Sequence, residues 1–164
     1  MAQKGPDSFW PYRVWNDIPE ESVCARPKPY LNAPVFVFGN IAVKERVHSM
    51  HFNVGPYDIP ERFEPFHGFY EPTQAQLQEA MGSKQDLVDY WREVRAQTLD
   101  LLSGMSDADL KEVVPRTDSM DPKREPYVMS IMLQNLRYGE LRLLSSIIEN
   151  ELLENEKPIG VMWM

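Results

Sequence analysis

The chain has 164 residues, of which 17 are Lys or Arg and 25 are Asp or Glu, so its formal net charge is −8 at pH 7. This acidic balance disfavours nucleic acid and acidic membrane surfaces as partners, because binding to phosphates depends on a positive surface. A hydrophobic content of 43% is typical of a globular protein, and the length predicts a single domain over residues 1–164.

Cysteine usage and the lack of long apolar runs narrow the class of protein further. Cys24 is the only cysteine, which excludes an intramolecular disulfide and a CxxC metal site. The first residues lack the basic-then-apolar layout of a signal peptide, and the sequence has no run of 18 apolar residues. We therefore predict a cytoplasmic protein without a membrane span.

The first half of the chain predicts two helices. An amphipathic, proline-interrupted pattern predicts the first over residues 7–23. Asn32 is a suitable N-cap for the second, over residues 33–52, whose inward stripe would be Phe36, Val37, Ile41, Val47 and Met50. The β-branched and aromatic run at 35–38 is also compatible with a strand, but helical spacing continues through too many later residues for that.

The second half predicts three further helices and two loops. Residues 53–72 are rich in proline and glycine, which predicts a long, aromatic-rich crossover. A short helix follows over residues 73–81, and a long one between Ser83 and Gly104. The last helix, over residues 126–155, comes after a proline-bearing loop at 114–126. Together these elements predict an all-α fold, a four-helix bundle with long proline-rich crossover loops.

The segment 32–48 resembles the second helix of the DinB-like family, in which an asparagine cap precedes a Gly-His-Ile-Ala stretch and a later glutamate. Gly39, Ile41, Ala42 and Glu45 match this pattern, while Asn40 stands where the family has a metal-binding histidine. The aromatic first segment, the helix around residues 91–95 and the extension at 102–110 are also similar to the family and follow its order.

The stretch 133–141 is similar to the family's last helix, where two histidines four residues apart precede a Gly-Glu or Gly-Gln pair. Gly139 and Glu140 match that pair, whereas Leu133 and Arg137 take the two histidine positions. The resemblance thus implies a DinB-like bundle whose metal-binding histidines are lost. Because DinB-like proteins are commonly homodimers, it also implies a homodimer.

The replacements decide what chemistry the old metal position can support. The family's three imidazoles hold a zinc- or nickel-type ion and leave open positions on it. Asparagine offers only a weak carbonyl oxygen, leucine offers no ligand, and arginine places a permanent positive charge where a cation would bind. We therefore predict no metal and no other cofactor, and a central cavity relined by Asn40, Leu133 and Arg137.

Arg137 admits two interpretations, because an arginine on an inward helix face needs a carboxylate, a carbonyl or a bound anion. In the first, it forms a structural ion pair with Glu140 or Glu45, with Asn40 completing the hydrogen bonds. Alternatively, it holds the carboxylate of a small anionic ligand. In that second case Glu45 or Glu140 could move a proton, so the sequence leaves open whether the protein is an enzyme.

Two further hypotheses remain. Glu45, His48 and His51 could form a two-histidine, one-carboxylate metal cluster serving a thiol transferase or hydrolase, although both histidines could equally be surface residues near a helix end. The apolar segment 158–164 could fold back, cover a second subunit or dock another protein, which would make the chain a structural subunit of a homo- or hetero-oligomer. We place both of these after the main hypothesis, which is a metal-free protein that binds a small molecule or has an accessory role.

Overall fold

A computed structural model describes residues 10–50, 58–68, 71–109 and 126–156, with side chains described for 12–47, 58–68, 71–109 and 135–150. The helices are α1 (Trp10–Asp17), α2 (Pro34–Met50), α3 (Gln74–Met81), α4 (Lys84–Ser103) and α5 (Pro126–Glu156). Short 3-10 helices occupy Glu20–Ser22 and Glu61–Phe66. None of the described residues forms a strand, which confirms the all-α prediction. Within the described ranges, the helices are too short or too polar to cross a membrane.

Helix α2 is the central element, because α1, α3, α4, α5 and the 3-10 helix Glu61–Phe66 all pack on it. Every residue from 33 to 43 is buried. The predicted inward stripe is therefore too narrow, since Val35, Phe38 and Val43 also have no exposed surface. A helix that is apolar on all sides is stable only when neighbours cover every side, so α2 forms the core around which the other helices assemble.

Aromatic contacts join α1, α2 and α4. The Trp15 ring of α1 lies on the Phe38 ring of α2, with ring centroids 4.7 Å apart. Phe38 in turn meets Trp91 of α4 at 6.0 Å in a tilted arrangement. Trp15, Phe38 and Trp91 are all fully buried, and aromatic pairs of this geometry add to the free energy of burying their surface.

Helices α2 and α4 run in the same direction. Phe38 contacts Trp91, and farther along both helices Glu45 forms an ion pair with Arg95. The later contact lies closer to the C-terminal end of both helices, so the two helices are parallel. A parallel pair needs a long connection, and residues 51–83 supply it.

Side chains nearby in the sequence cap the N-termini of α3 and α4, and the second of these helices begins after Ser83 as predicted. Thr73 forms a capping box with Gln76 at the start of α3, and Ser83 forms one with Asp86 at the start of α4. Each box satisfies backbone N–H groups that lack a partner within the helix. Gly104 follows the last turn of α4, where its N–H donates to the carbonyl oxygen of residue 101.

The start of α2 differs from the prediction that Asn32 caps it. The helix begins at Pro34, so Ala33 precedes its first turn. The Ala33 N–H donates to the carboxylate of Glu71, with distances of 3.1 and 3.2 Å to the two oxygens. Arg26 holds the same carboxylate through Nε at 3.0 Å. The crossover thus caps α2 from a distance of 38 residues, and the Asn32 side chain is free to contact α5.

The crossover also covers the middle of α2. The predicted loop at 53–72 contains the 3-10 helix Glu61–Phe66, whose Phe63 and Phe66 are buried. The Phe66 ring lies so close to Gly39 that a Cβ atom there would come within 2.5 Å of the ring. Only glycine permits this contact without displacing the ring.

We predict that Gly39→Ala destabilises the protein by about 1–2 kcal/mol, because the clash with Phe66 outweighs the gain in helix propensity. Gly139→Ala is the matched control, since a Cβ at Gly139 meets no atom within 4 Å in the middle of α5. Alanine there should stabilise the helix by up to about 1 kcal/mol. Urea unfolding of both variants measures the two free energies, and equal effects at the two positions would contradict the packing described.

Candidate functional site

Asn40 is a buried polar residue near the middle of α2, with only 2% of its surface exposed. Its amide nitrogen donates to the backbone oxygen of Phe66 at 2.7 Å and to that of Gly68 at 3.4 Å. Its amide oxygen accepts a hydrogen bond from Arg137 Nε at 3.1 Å. Asn40 therefore joins the crossover to α5, and both ends of its amide are used.

Arg137 connects Asn40 to an acidic residue of its own helix. Its Nη1 atom lies 2.6 Å from Glu140 Oε2, and the other oxygen of Glu140 accepts a hydrogen bond of 2.5 Å from Asn32 Nδ2. Asn32, just before α2, contacts Glu140, and Asn40 within α2 contacts Arg137, which is earlier in α5. The two helices therefore run in opposite directions. We call Asn32, Asn40, Arg137 and Glu140 the arginine network.

The arginine network does not suit a divalent metal ion. The Asn40 oxygen, its best remaining ligand, already accepts a hydrogen bond from the guanidinium of Arg137. A cation bound at that oxygen would lie beside a permanent positive charge. Glu140 is the one anionic group of the network, and both of its oxygens are engaged by protein donors. Hydrogen bonds between protein groups therefore occupy the place where the resemblance puts a metal.

Glu45 lies apart from Arg137 and has a different partner. Its Oε1 atom accepts a hydrogen bond of 3.0 Å from Arg95 Nη1 on α4. The residue is 1% exposed, and its second oxygen, Oε2, is buried with no hydrogen-bond partner. The Thr98 hydroxyl is also near the carboxyl group, but it donates to the backbone oxygen of Val94 at 2.9 Å. Of the two carboxylates proposed as partners of Arg137, the structure thus selects Glu140 alone.

Burial changes the acid–base properties of this region. Desolvation raises the pKa of Glu45 above its ordinary value of 4.5, and the neighbouring Arg95 and Thr98 only partly oppose the change. Burial also raises the pKa of Tyr138 on α5, and the negative charge of Glu45 adds to that increase. Glu45, Arg95 and Tyr138 therefore form one buried electrostatic group between α2, α4 and α5.

The remaining predicted residues are only partly covered. Leu133 lies in α5 one turn before Arg137, and its side chain is outside the described set. His48 lies in α2 but its side chain is also outside that set, and His51 falls outside the described residues altogether. Within the described ranges, no three His, Cys, Asp or Glu side chains are placed to hold a metal ion. The metal cluster of Glu45, His48 and His51 stays a prediction.

Sequence reasoning missed three contributors to the site. Arg95, Asn32 and Phe66 contact the candidate residues through tertiary packing, at separations of 50, 108 and 26 residues. The one available signal was charge, because a buried carboxylate needs a cation and α4 carries Arg95.

The chain has no match among protein-family models, curated proteins or solved structures. The resemblance to the DinB-like family therefore depends on the motifs at residues 32–48 and 133–141.

Glu45→Gln should change how stability depends on pH. Well below pH 4.5, Glu45 is protonated in both the folded and the unfolded chain. The stability that comes from its raised pKa in the folded chain is therefore fully present there. As pH rises, the unfolded chain releases this proton first. The unaltered protein therefore loses stability relative to the Glu45→Gln variant until the pH passes the raised pKa of Glu45.

Urea unfolding of both proteins between acidic and neutral pH tests this expectation. The difference in free energy of unfolding should grow with pH by no more than about 1.4 kcal/mol per pH unit, the limit for one proton. A difference that is constant with pH would show that Glu45 titrates alike in the folded and unfolded chains.

Proposed function

We propose that this chain is a DinB-like four-helix bundle that binds a small anionic ligand through Arg137 without a metal ion. In this proposal it serves as a binding or accessory protein, and the arginine network replaces the family's metal site. The carrying observation is the contact between Asn40 and Arg137. The resemblance aligns both residues with metal-binding histidines, and they lie 3.1 Å apart although 97 residues separate them in the chain.

The hydrogen bonds of Arg137 support a role in binding. A guanidinium has five N–H donors, and Asn40 and Glu140 use two of them. Nη2 has no hydrogen-bond partner among the described residues, and the Arg137 side chain is 20% exposed. The buried edge of the guanidinium is thus fixed by protein groups, while donors remain for a group arriving from solvent.

The charge and shape of these donors favour a carboxylate or phosphate. Such groups accept charge-assisted hydrogen bonds from a guanidinium, which are about twice as strong as neutral ones. Because Asn40 and Glu140 already hold Arg137 in place, little side-chain entropy is lost when a ligand binds. Glu140 works in the opposite sense, since its negative charge beside Arg137 weakens the attraction for an anion.

We expect acetate, succinate or inorganic phosphate to stabilise the protein and Arg137→Gln to abolish the effect. At about ten times Kd, a ligand adds about 1.4 kcal/mol to the free energy of unfolding, which raises Tm by about 3–5 °C for a chain of this size. Glu140→Gln should strengthen binding by about threefold, because it removes a competing negative charge. Thermal melts with each anion measure both effects.

Arg142→Gln is the matched control, because Arg142 is exposed on the same helix. Its replacement changes the net charge by the same amount as Arg137→Gln. It should leave the anion effect unchanged. An equal loss in both variants would indicate general screening rather than a site. Stoichiometric zinc, nickel or manganese in protein purified without an affinity tag would contradict the metal-free proposal and favour a metal-dependent enzyme.

A further inference from the structure

Helix α5 has an inward face and an outer face. The inward face packs on α1 and α2. The buried residues of the inward face are Tyr138, Leu141, Leu144, Ser145 and Ile148. On the opposite side, spaced alternately by three and four residues, lie Leu136, Gly139, Leu143, Ser146 and Asn150. We call these last five residues the outer face of α5. Ser146 is half-buried and the others are exposed.

The outer face of α5 has the composition of a contact surface. Leu136 is 67% exposed and Leu143, two turns later, is 52% exposed. A Cβ atom at Gly139, which lies between them, would meet no atom within 4 Å, so this part of the helix is open. The outward side of a surface helix normally carries charged residues, yet none of the five residues of the outer face is charged. In a chain of net charge −8, such a face indicates a partner that excludes water from it.

Two charged residues flank the outer face on one side. Arg142 and Glu149 are exposed, and each comes one position before a residue of the outer face, Leu143 or Asn150. Neither forms a hydrogen bond or an ion pair with a described residue. Two helical turns separate them, so their side chains are too far apart to pair with each other. The flank therefore offers one positive and one negative group to a partner.

These two charges are complementary to a second copy of the same helix. A twofold axis makes two α5 helices antiparallel and keeps the same flank of both on the same side of the contact. With the axis between Leu143 and Ser146, Arg142 of each copy lies beside the partner's Glu149. This register also brings the two copies of Leu143 into adjacent positions at the centre of the contact. A parallel pair would instead place Arg142 beside the partner's Arg142, so charge favours the antiparallel arrangement.

We infer that the outer face of α5 binds a second copy of this chain, with the two α5 helices antiparallel and Arg142 paired with the partner's Glu149. One helix face per copy is smaller than a standard interface, so we expect a Kd of about 10–100 µM. Arg137 lies on another side of α5, where it contacts Asn40 of α2. Association and anion binding are therefore independent, and Arg142→Gln should weaken only the association.

Sedimentation velocity at concentrations below and above this Kd tests the association, which should appear as a monomer–dimer equilibrium. Leu143→Asp should raise the Kd at least about tenfold, because it brings two like charges together near the axis. Leu99→Asp is the matched control, since Leu99 is 53% exposed but lies on α4, and it should leave the Kd unchanged. A chain that is monomeric at every concentration, or equal effects of the two substitutions, would overturn the inference and leave the outer face to a different molecule.

Charge reversal tests the register and guards against misfolding of a variant. Arg142→Glu alone and Glu149→Arg alone should each weaken self-association about tenfold, because two ion pairs become two repulsive contacts. In a 1:1 mixture of the two variants, opposite charges face each other again across the contact. The mixture should therefore associate with a Kd within about threefold of that of the unaltered protein. A mixture that associates no better than the separate variants would exclude the pairing of Arg142 with the partner's Glu149.

Discussion

The burial of α2 on all sides over residues 34–43 is the constraint on which the rest of the structure depends. Five other elements must cover the helix, and every polar group on it must find a partner on one of them. Asn40 is satisfied by the crossover and α5, and Glu45 by α4, although one of its oxygens remains unpaired. Gly39 contributes by having no side chain, which allows the Phe66 ring to approach. The arginine network and the Glu45–Arg95 ion pair are therefore both consequences of how α2 is covered.

The sequence predicts local structure well here, because local rules decide it. The capping boxes at Thr73 and Ser83 depend on residues three positions away, so spacing alone reveals them. The cap of α2 does not follow such a rule, since its acceptor, Glu71, comes from the far end of the crossover. The burial of α2 on all sides was underestimated for a similar reason. A stripe of apolar residues shows that one side is buried, but only the packing of other helices shows that Val35 and Phe38 are buried as well.

The arginine network shows the same division between local and distant information. Glu140 is three residues from Arg137 on one helix, so their pairing could be expected from spacing. Glu45 was an equally charged candidate, but sequence alone does not show whether a carboxylate on another helix faces Arg137. The structure assigns Glu45 to Arg95, which separates the charges into two neutral pairs. Without this division, both carboxylates would compete for a single cation.

The Arg137–Glu140 and Glu45–Arg95 ion pairs differ because the first is partly exposed and the carboxylate of the second is buried. In the Arg137 pair the cation is partly exposed and keeps unused donors, so this pair attracts an acceptor from solvent. In the Glu45 pair the anion is buried, so the main effect of its surroundings is to raise the pKa of the carboxyl group. Neither pair offers the cluster of neutral nitrogen ligands that a zinc- or nickel-type ion requires.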